Sequence, residues 1–90
     1  MKEEAENVTR LLKTARGQID GILKMIDEDR YCVDISNQLM ATSSILKKAN
    51  AVVLRAHLHS CVKPSMESGD DEERERKIEE MIKIIEKSVS

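Results

Sequence analysis

His57 and Cys61 stand four residues apart in a stretch that reads as helix, so their side chains project from one face about one turn apart. An imidazole and a thiol so placed make a two-point clamp for a metal ion, but a His and a Cys reach this spacing by chance often enough that the pair needs a third donor. Cys32, the second cysteine of the chain, is the natural one. Two thiolates and an imidazole, with no carboxylate obviously at hand, suit a soft ion, and three-coordination is comfortable for Cu(I), whereas Zn2+ would want a fourth ligand. His59 lies two residues from His57, faces away on the helix, and reads as a surface residue. Met25, Met40, Met66 and Met81 carry thioethers that Cu(I) accepts, yet at helical spacing they read as core filler.

No other chemistry is legible. The sequence has no Gly-rich phosphate loop and no nucleophile elbow, and its two histidines share one short stretch, so catalysis is not expected. The charged start, MKEEAENVTR, lacks the apolar stretch of a secretory signal, and no apolar run approaches the roughly 20 residues that span a bilayer. The expected location is the cytoplasm, away from membranes, where two cysteines are better read as thiols than as a structural disulfide.

The elements that must position these donors are helical. The apolar set is aliphatic with a single aromatic residue, Tyr31, and the 90 residues include only three Gly and one Pro. Val8, Leu11, Leu12, Ala15, Ile19, Ile22, Leu23 and Ile26 follow the three-and-four spacing of one helical face and predict a helix over about residues 4–29. Gly17 inside that pattern lowers helix stability by roughly 1 kcal/mol relative to Ala, and suggests a close approach by another backbone. The acidic run in DEDRYC, residues 27–32, sits badly at a helix C-terminus and reads as a break. The apolar pattern then resumes from Val33 through Ala56 and predicts a long second helix, about 33–63, stopped by Pro64. Residues 64–71 make a polar connection, and Asp70 or Asp71 is placed to cap a third helix, about 71–88, whose apolar face is Ile78, Met81, Ile82, Ile85 and Val89. The expected fold is all-α, one three-helix domain over residues 1–90.

This layout keeps the donors of one chain apart. Cys32 precedes the second helix and Cys61 lies near its end, about 43 Å away along a straight helix at 1.5 Å per residue. Two copies packed antiparallel along that helix would bring the start of one beside the end of the other and create two equivalent sites. A small chain with a long apolar second helix needs such a partner in any case.

The net charge of −2 averages unlike segments. Residues 10–63 carry nine basic and five acidic side chains, a net of +4, while residues 1–9 contribute −2 and residues 64–90 contribute −4. No helix-turn-helix or zinc-finger pattern is present, so any contact with DNA must come from basic residues on the bundle surface.

The run GQIDGILKMIDEDRYCVDISNQL followed by HLHSCV resembles the copper-sensing operon repressor (CsoR) family of metal-sensitive transcriptional repressors, over nearly the whole chain. The family's sensor cysteine follows a Tyr near the start of helix two, matching Tyr31-Cys32, and its His-x-x-x-Cys pair matches His57 and Cys61. The resemblance implies a three-helix protomer, an antiparallel four-helix-bundle dimer and a homotetramer made as a dimer of dimers. It implies Cu(I) held by Cys32 of one protomer and His57 and Cys61 of the other. Around the histidine it implies Tyr31 and a glutamate of helix three, best matched by Glu80 in KIEEM, with Glu79 as the neighbouring alternative. It further implies a repressor that binds operator DNA without metal and releases it on metal binding. The family's basic DNA face maps onto Arg10, Lys13, Arg16, Lys47, Lys48 and Arg55, although Leu11 and Thr14 occupy places where many members have arginine.

Three other readings use the same residues. Related repressors sense persulfide or polysulfide through cysteines matching Cys32 and Cys61, and others sense nickel or cobalt, usually with more nitrogen ligands. The third is a copper-binding helical protein with no DNA role, which the net acidity favours.

Overall fold

Pro64 and Glu67, expected in a polar connection, are themselves helical, and three longer helices carry most of the described part of the chain, which in this computed structural model is residues 2–59, 64, 67 and 69–89. They are α1 (Ala5–Asp27), α2 (Cys32–His57) and α3 (Asp71–Val89), and no strand occurs among the described residues. The helix beyond His57 widens into a π turn at Leu58 and His59. Residues 60–63, the end of the helix expected from periodicity, lie outside the described residues, as does Met66. The chain divides into two compact units, residues 1–54 and 55–90.

In the first unit α1 and α2 form a helical hairpin. The buried side chains of α1 are Val8, Ala15 and Ile22, spaced by seven, and the half-buried Leu11, Gln18 and Met25 fall between them in a three-and-four alternation. On α2, Thr42 and Ala49 repeat the same seven-residue interval. Such a seam is the signature of two helices packed side by side at a shallow angle, with small residues allowing close approach. Thr42 Oγ1 donates to Gln18 Oε1 at 2.8 Å across this seam. Gln18 stands nine residues before the end of α1 and Thr42 ten residues after the start of α2, so the bond fixes an antiparallel register.

The apolar face of α1 is wider than the seam uses. Leu12, Ile19, Leu23 and Ile26 are 45–59% exposed, because a single partner helix covers only part of a broad apolar stripe. On α2, Val33, Leu39, Met40 and Leu46 are exposed too; Met40 is therefore not core filler within the protomer, whereas Met25 and Met81 are half-buried. A Cβ added to Gly17 would meet nothing within 4 Å, so the expected close backbone approach is not made among the described residues of one protomer.

The break after α1 has a specific construction. Asp29 adopts φ 54°, Arg30 N–H donates to Met25 O at 2.9 Å and Asp29 N–H to Ile26 O at 3.1 Å. This is a Schellman closure, with Asp in the left-handed position that Gly usually takes. Tyr31 then serves as the entry to α2, its carbonyl accepting from Asp34 N–H and Ile35 N–H at 3.0 and 3.2 Å.

In the second unit Asp70 caps α3: its Oδ1 accepts from Glu73 N–H at 3.2 Å. Gly69 at φ 82° turns the chain into that cap. Asp71, Glu72 and Glu73 fill the first turn, where the helix dipole favours negative charge.

Candidate metal centre

The last turn of α2 and the middle of α3 meet at a histidine. His57 Nε2 lies 2.9 Å from Glu80 Oε1. That nitrogen is shut off from water, and although the oxygen is at hydrogen-bonding distance it lies off the line along which an Nε2–H would point. The pair is therefore a close contact that falls short of a straight hydrogen bond. The His57 side chain as a whole is 22% exposed and that of Glu80 41%, so the edge of the ring remains within reach of solvent. Glu80 is also approached from its own helix, Lys77 Nζ standing 3.7 Å from Oε2. Glu79, one position earlier and about 100° around the helix, is exposed.

The other donors lie elsewhere. Cys32 is the first residue of α2, and its thiol is exposed. Tyr31 beside it is 67% exposed. His59 is exposed. Cys61 lies outside the described residues. Among the described residues no three His, Cys, Asp or Glu side chains gather closely enough to hold a metal ion. One protomer thus presents an imidazole at the end of α2 and a thiol at its start.

What these residues offer fits a soft monovalent ion. An imidazole turned by Nε2 toward a carboxylate has its other nitrogen, Nδ1, as the position for a metal, the usual arrangement of a ligating histidine with an oriented ring. The exposed Cys32 thiol is sterically open to a ligand brought to it.

The basic residues singled out in the sequence are all exposed: Arg10, Lys13, Arg16, Lys47 and Lys48 in the first unit and Arg55 in the second. The Gln18–Thr42 register sets Lys13 level with Lys47 on the antiparallel helix, and both point away from the buried seam. Arg10 Nη2 donates to Asn7 Oδ1 at 2.6 Å. Near the α1–α2 turn the cations Lys24 and Arg30 both face Glu28, at 3.9 and 3.8 Å. No described helix is long and apolar enough to cross a membrane.

Sequence reasoning missed Gln18 as a partner for Thr42. Thr42 lay within the apolar pattern, but a hydrogen bond spanning 24 residues depends on the hairpin register, which periodicity does not provide.

Comparison with known proteins places these features. The model of the metal-sensitive transcriptional repressor family matches residues 4–87. The chain is 48% identical over 58 residues to the copper-sensing transcriptional repressor CsoR of Mycobacterium ulcerans, covering 64% of this chain and 50% of that protein. It is 36% identical over 85 residues to CsoR of Bacillus subtilis, covering 94% of this chain and 81% of that one. The chain thus spans about half the length of the first relative and most of the second. Its fold superposes on the crystal structure of the copper-sensing repressor CsoR with Cu(I) from Geobacillus thermodenitrificans with a TM-score of 0.86, at 31% identity, covering 100% of this chain and 91% of that one.

Proposed function

The chain belongs to the metal-sensitive transcriptional repressor family, and on that premise we propose that it is a cytoplasmic, copper(I)-responsive repressor that holds operator DNA when metal-free and releases it when Cu(I) binds. The observation that carries this reading is the approach of His57 to Glu80 at 2.9 Å, which ties a ligating side chain on α2 to α3. The names of the relatives, copper-sensing repressors in each case, support the choice of ion.

The site is shared between protomers. Cys32 and His57 are the first and last residues of one 26-residue helix, and a helix of that length extends about 39 Å. Cys32 of one protomer therefore joins His57 and Cys61 of an antiparallel partner, with Tyr31 arriving beside the imidazole. The exposed Leu12, Ile19, Leu39 and Leu46 support such packing, since two hairpins laid together would cover them as a four-helix bundle. A pair of such dimers gives the tetramer.

Bound Cu(I) supplies a link between thiolate and imidazole donors of two chains. The protein's own residues convert occupancy into a change elsewhere. Glu80 stands against Nε2 of the His57 ring, so an ion held by the imidazole would bear on α3 through this contact. Arg10, Lys13, Arg16, Lys47, Lys48 and Arg55 provide the phosphate contacts that this change weakens. By linkage, DNA weakens metal binding by the same factor.

Anaerobic titration of the purified chain tests the sensor half. One Cu(I) per protomer should bind tightly, and Cys32→Ser, His57→Ala and Cys61→Ser should each abolish that tight site. A His57→Ala protein that ignored copper but still answered polysulfide would replace this reading with a sulfur sensor built on Cys32 and Cys61.

A further inference from the structure

Arg10 has two polar neighbours on the preceding turn of α1, one charged and one neutral, and it is bonded to the neutral one. Its Nη2 donates to Asn7 Oδ1 at 2.6 Å. A guanidinium only donates, so the Asn7 amide must turn its oxygen toward it. Glu6, four residues before Arg10, stands at the spacing and in the order that favour a Glu–Arg ion pair. Yet among the described residues Glu6 makes no ion pair with Arg10 or Lys13, although these three side chains line one shallow hollow with Thr9 and Thr14. At about 100° per residue, Glu6 and Asn7 lie on opposite sides of Arg10, and the buried Val8 and Ala15 lie on the Asn7 side. The bond therefore draws the guanidinium toward the flank of the buried seam and away from Glu6. Thr14 Oγ1 donates to Arg10 O at 3.1 Å, so its hydroxyl does not compete for the Asn7 oxygen.

The choice of partner decides what Arg10 can do. A carboxylate on the guanidinium would neutralise it and repel an approaching phosphate. An amide oxygen occupies one N–H and leaves the full charge and the remaining donors in place. A long exposed side chain held in one arrangement also loses less freedom when it meets a second partner.

We propose that Asn7 is a positioning residue of the DNA face: its amide oxygen holds the Arg10 guanidinium away from Glu6, so that Arg10 meets a DNA phosphate with its charge intact. The DNA contact rests on the function proposed above, whereas the hold of Asn7 on Arg10 requires neither DNA nor metal.

Fluorescence anisotropy of the metal-free full chain with DNA from its own promoter, over a series of salt concentrations, tests the consequence. Asn7→Leu and Asn7→Ala, each checked for native helicity, should bind about two- to fivefold more weakly, with a shallower salt dependence, because one phosphate contact per engaged Arg10 is weakened. In a Glu6→Gln background the loss caused by Asn7→Leu should shrink to less than half, since no carboxylate then competes for Arg10. In an Arg10→Ala background Asn7→Leu should change nothing further. Side-chain 15N spectra of the DNA-free chain, with Arg10 assigned by Arg10→Lys, should show slowed rotation about its Cζ–Nη bond that Asn7→Leu abolishes. Unchanged DNA affinity and salt dependence in both Asn7 variants, or an Asn7→Leu loss of the same size with Glu6→Gln or Arg10→Ala, would overturn the inference. A wild-type chain that bound no promoter DNA would instead overturn the proposed function, and the side-chain spectra would still decide whether Asn7 holds Arg10.

Discussion

His57 Nε2 and Glu80 Oε1 approach to 2.9 Å, so the last residue of α2 and the tenth of α3 share one contact. Removing the carboxylate charge should weaken that hold on the ring without deleting a ligand. Glu80→Gln should keep one Cu(I) per protomer but lower affinity by about tenfold, the low end for groups that orient a metal-bound histidine. Glu79→Gln, on the exposed face, is the control. Chelator competition on both variants checks this, and equal effects would remove Glu80 from the account.

A site divided between protomers predicts complementation. Cys32→Ser and His57→Ala chains should each lack tight Cu(I) binding. Mixed and refolded together, they should form heterodimers with one intact site, since one partner retains Cys32 and the other retains His57 and Cys61. Metal counting on the isolated heterodimer gives one ion per two chains if the site is shared, and none if each chain binds its own.

The Gln18–Thr42 hydrogen bond is the polar point of an otherwise apolar seam. Thr42→Val keeps the shape and removes the hydroxyl, and should cost about 1 kcal/mol in chemical denaturation, because the Gln18 amide loses its partner. Adding Gln18→Met should recover much of that loss, as both groups are then apolar. Strictly additive losses would mean that the two residues act separately.

How much of this was legible in the sequence depends on the range of the interaction. The seven-residue repeats of Val8, Ala15 and Ile22 lie within the apolar periodicity, and the acidic run after Ile26 marks the break, because both are local properties. The division of the α1 face into a buried seam and an exposed flank was not legible, since Leu11 and Leu12 are equally apolar and only the position of α2 separates them. Asp70 and Asp71 were equivalent as caps until the turn at Gly69 presented Asp70 to Glu73 N–H. The family pattern pointed to Glu80, and the structure adds that Glu80 rather than Glu79 meets His57. Cys61 lies outside the described residues, so its role rests on spacing and resemblance.

The turn between α1 and α2 carries local strain at Asp29, whose φ of 54° is costly for a residue with a Cβ. Asp29→Gly should therefore leave stability unchanged or raise it by up to about 1 kcal/mol, while Asp29→Val should lower it by at least as much. Thermal unfolding of the two variants decides this. The order Val above Gly would contradict the left-handed conformation.

In the function proposed above, Cu(I) occupancy and DNA binding are coupled through this chain. Fluorescence anisotropy with labelled DNA from the chain's own promoter, run anaerobically with and without one equivalent of Cu(I), reads both sides of the coupling. The account predicts salt-dependent binding by the metal-free protein and at least about tenfold weaker binding once Cu(I) is present, within the usual range of coupling energies. Tight Cu(I) binding that leaves DNA affinity unchanged, or no binding to promoter DNA at any salt concentration, would contradict it.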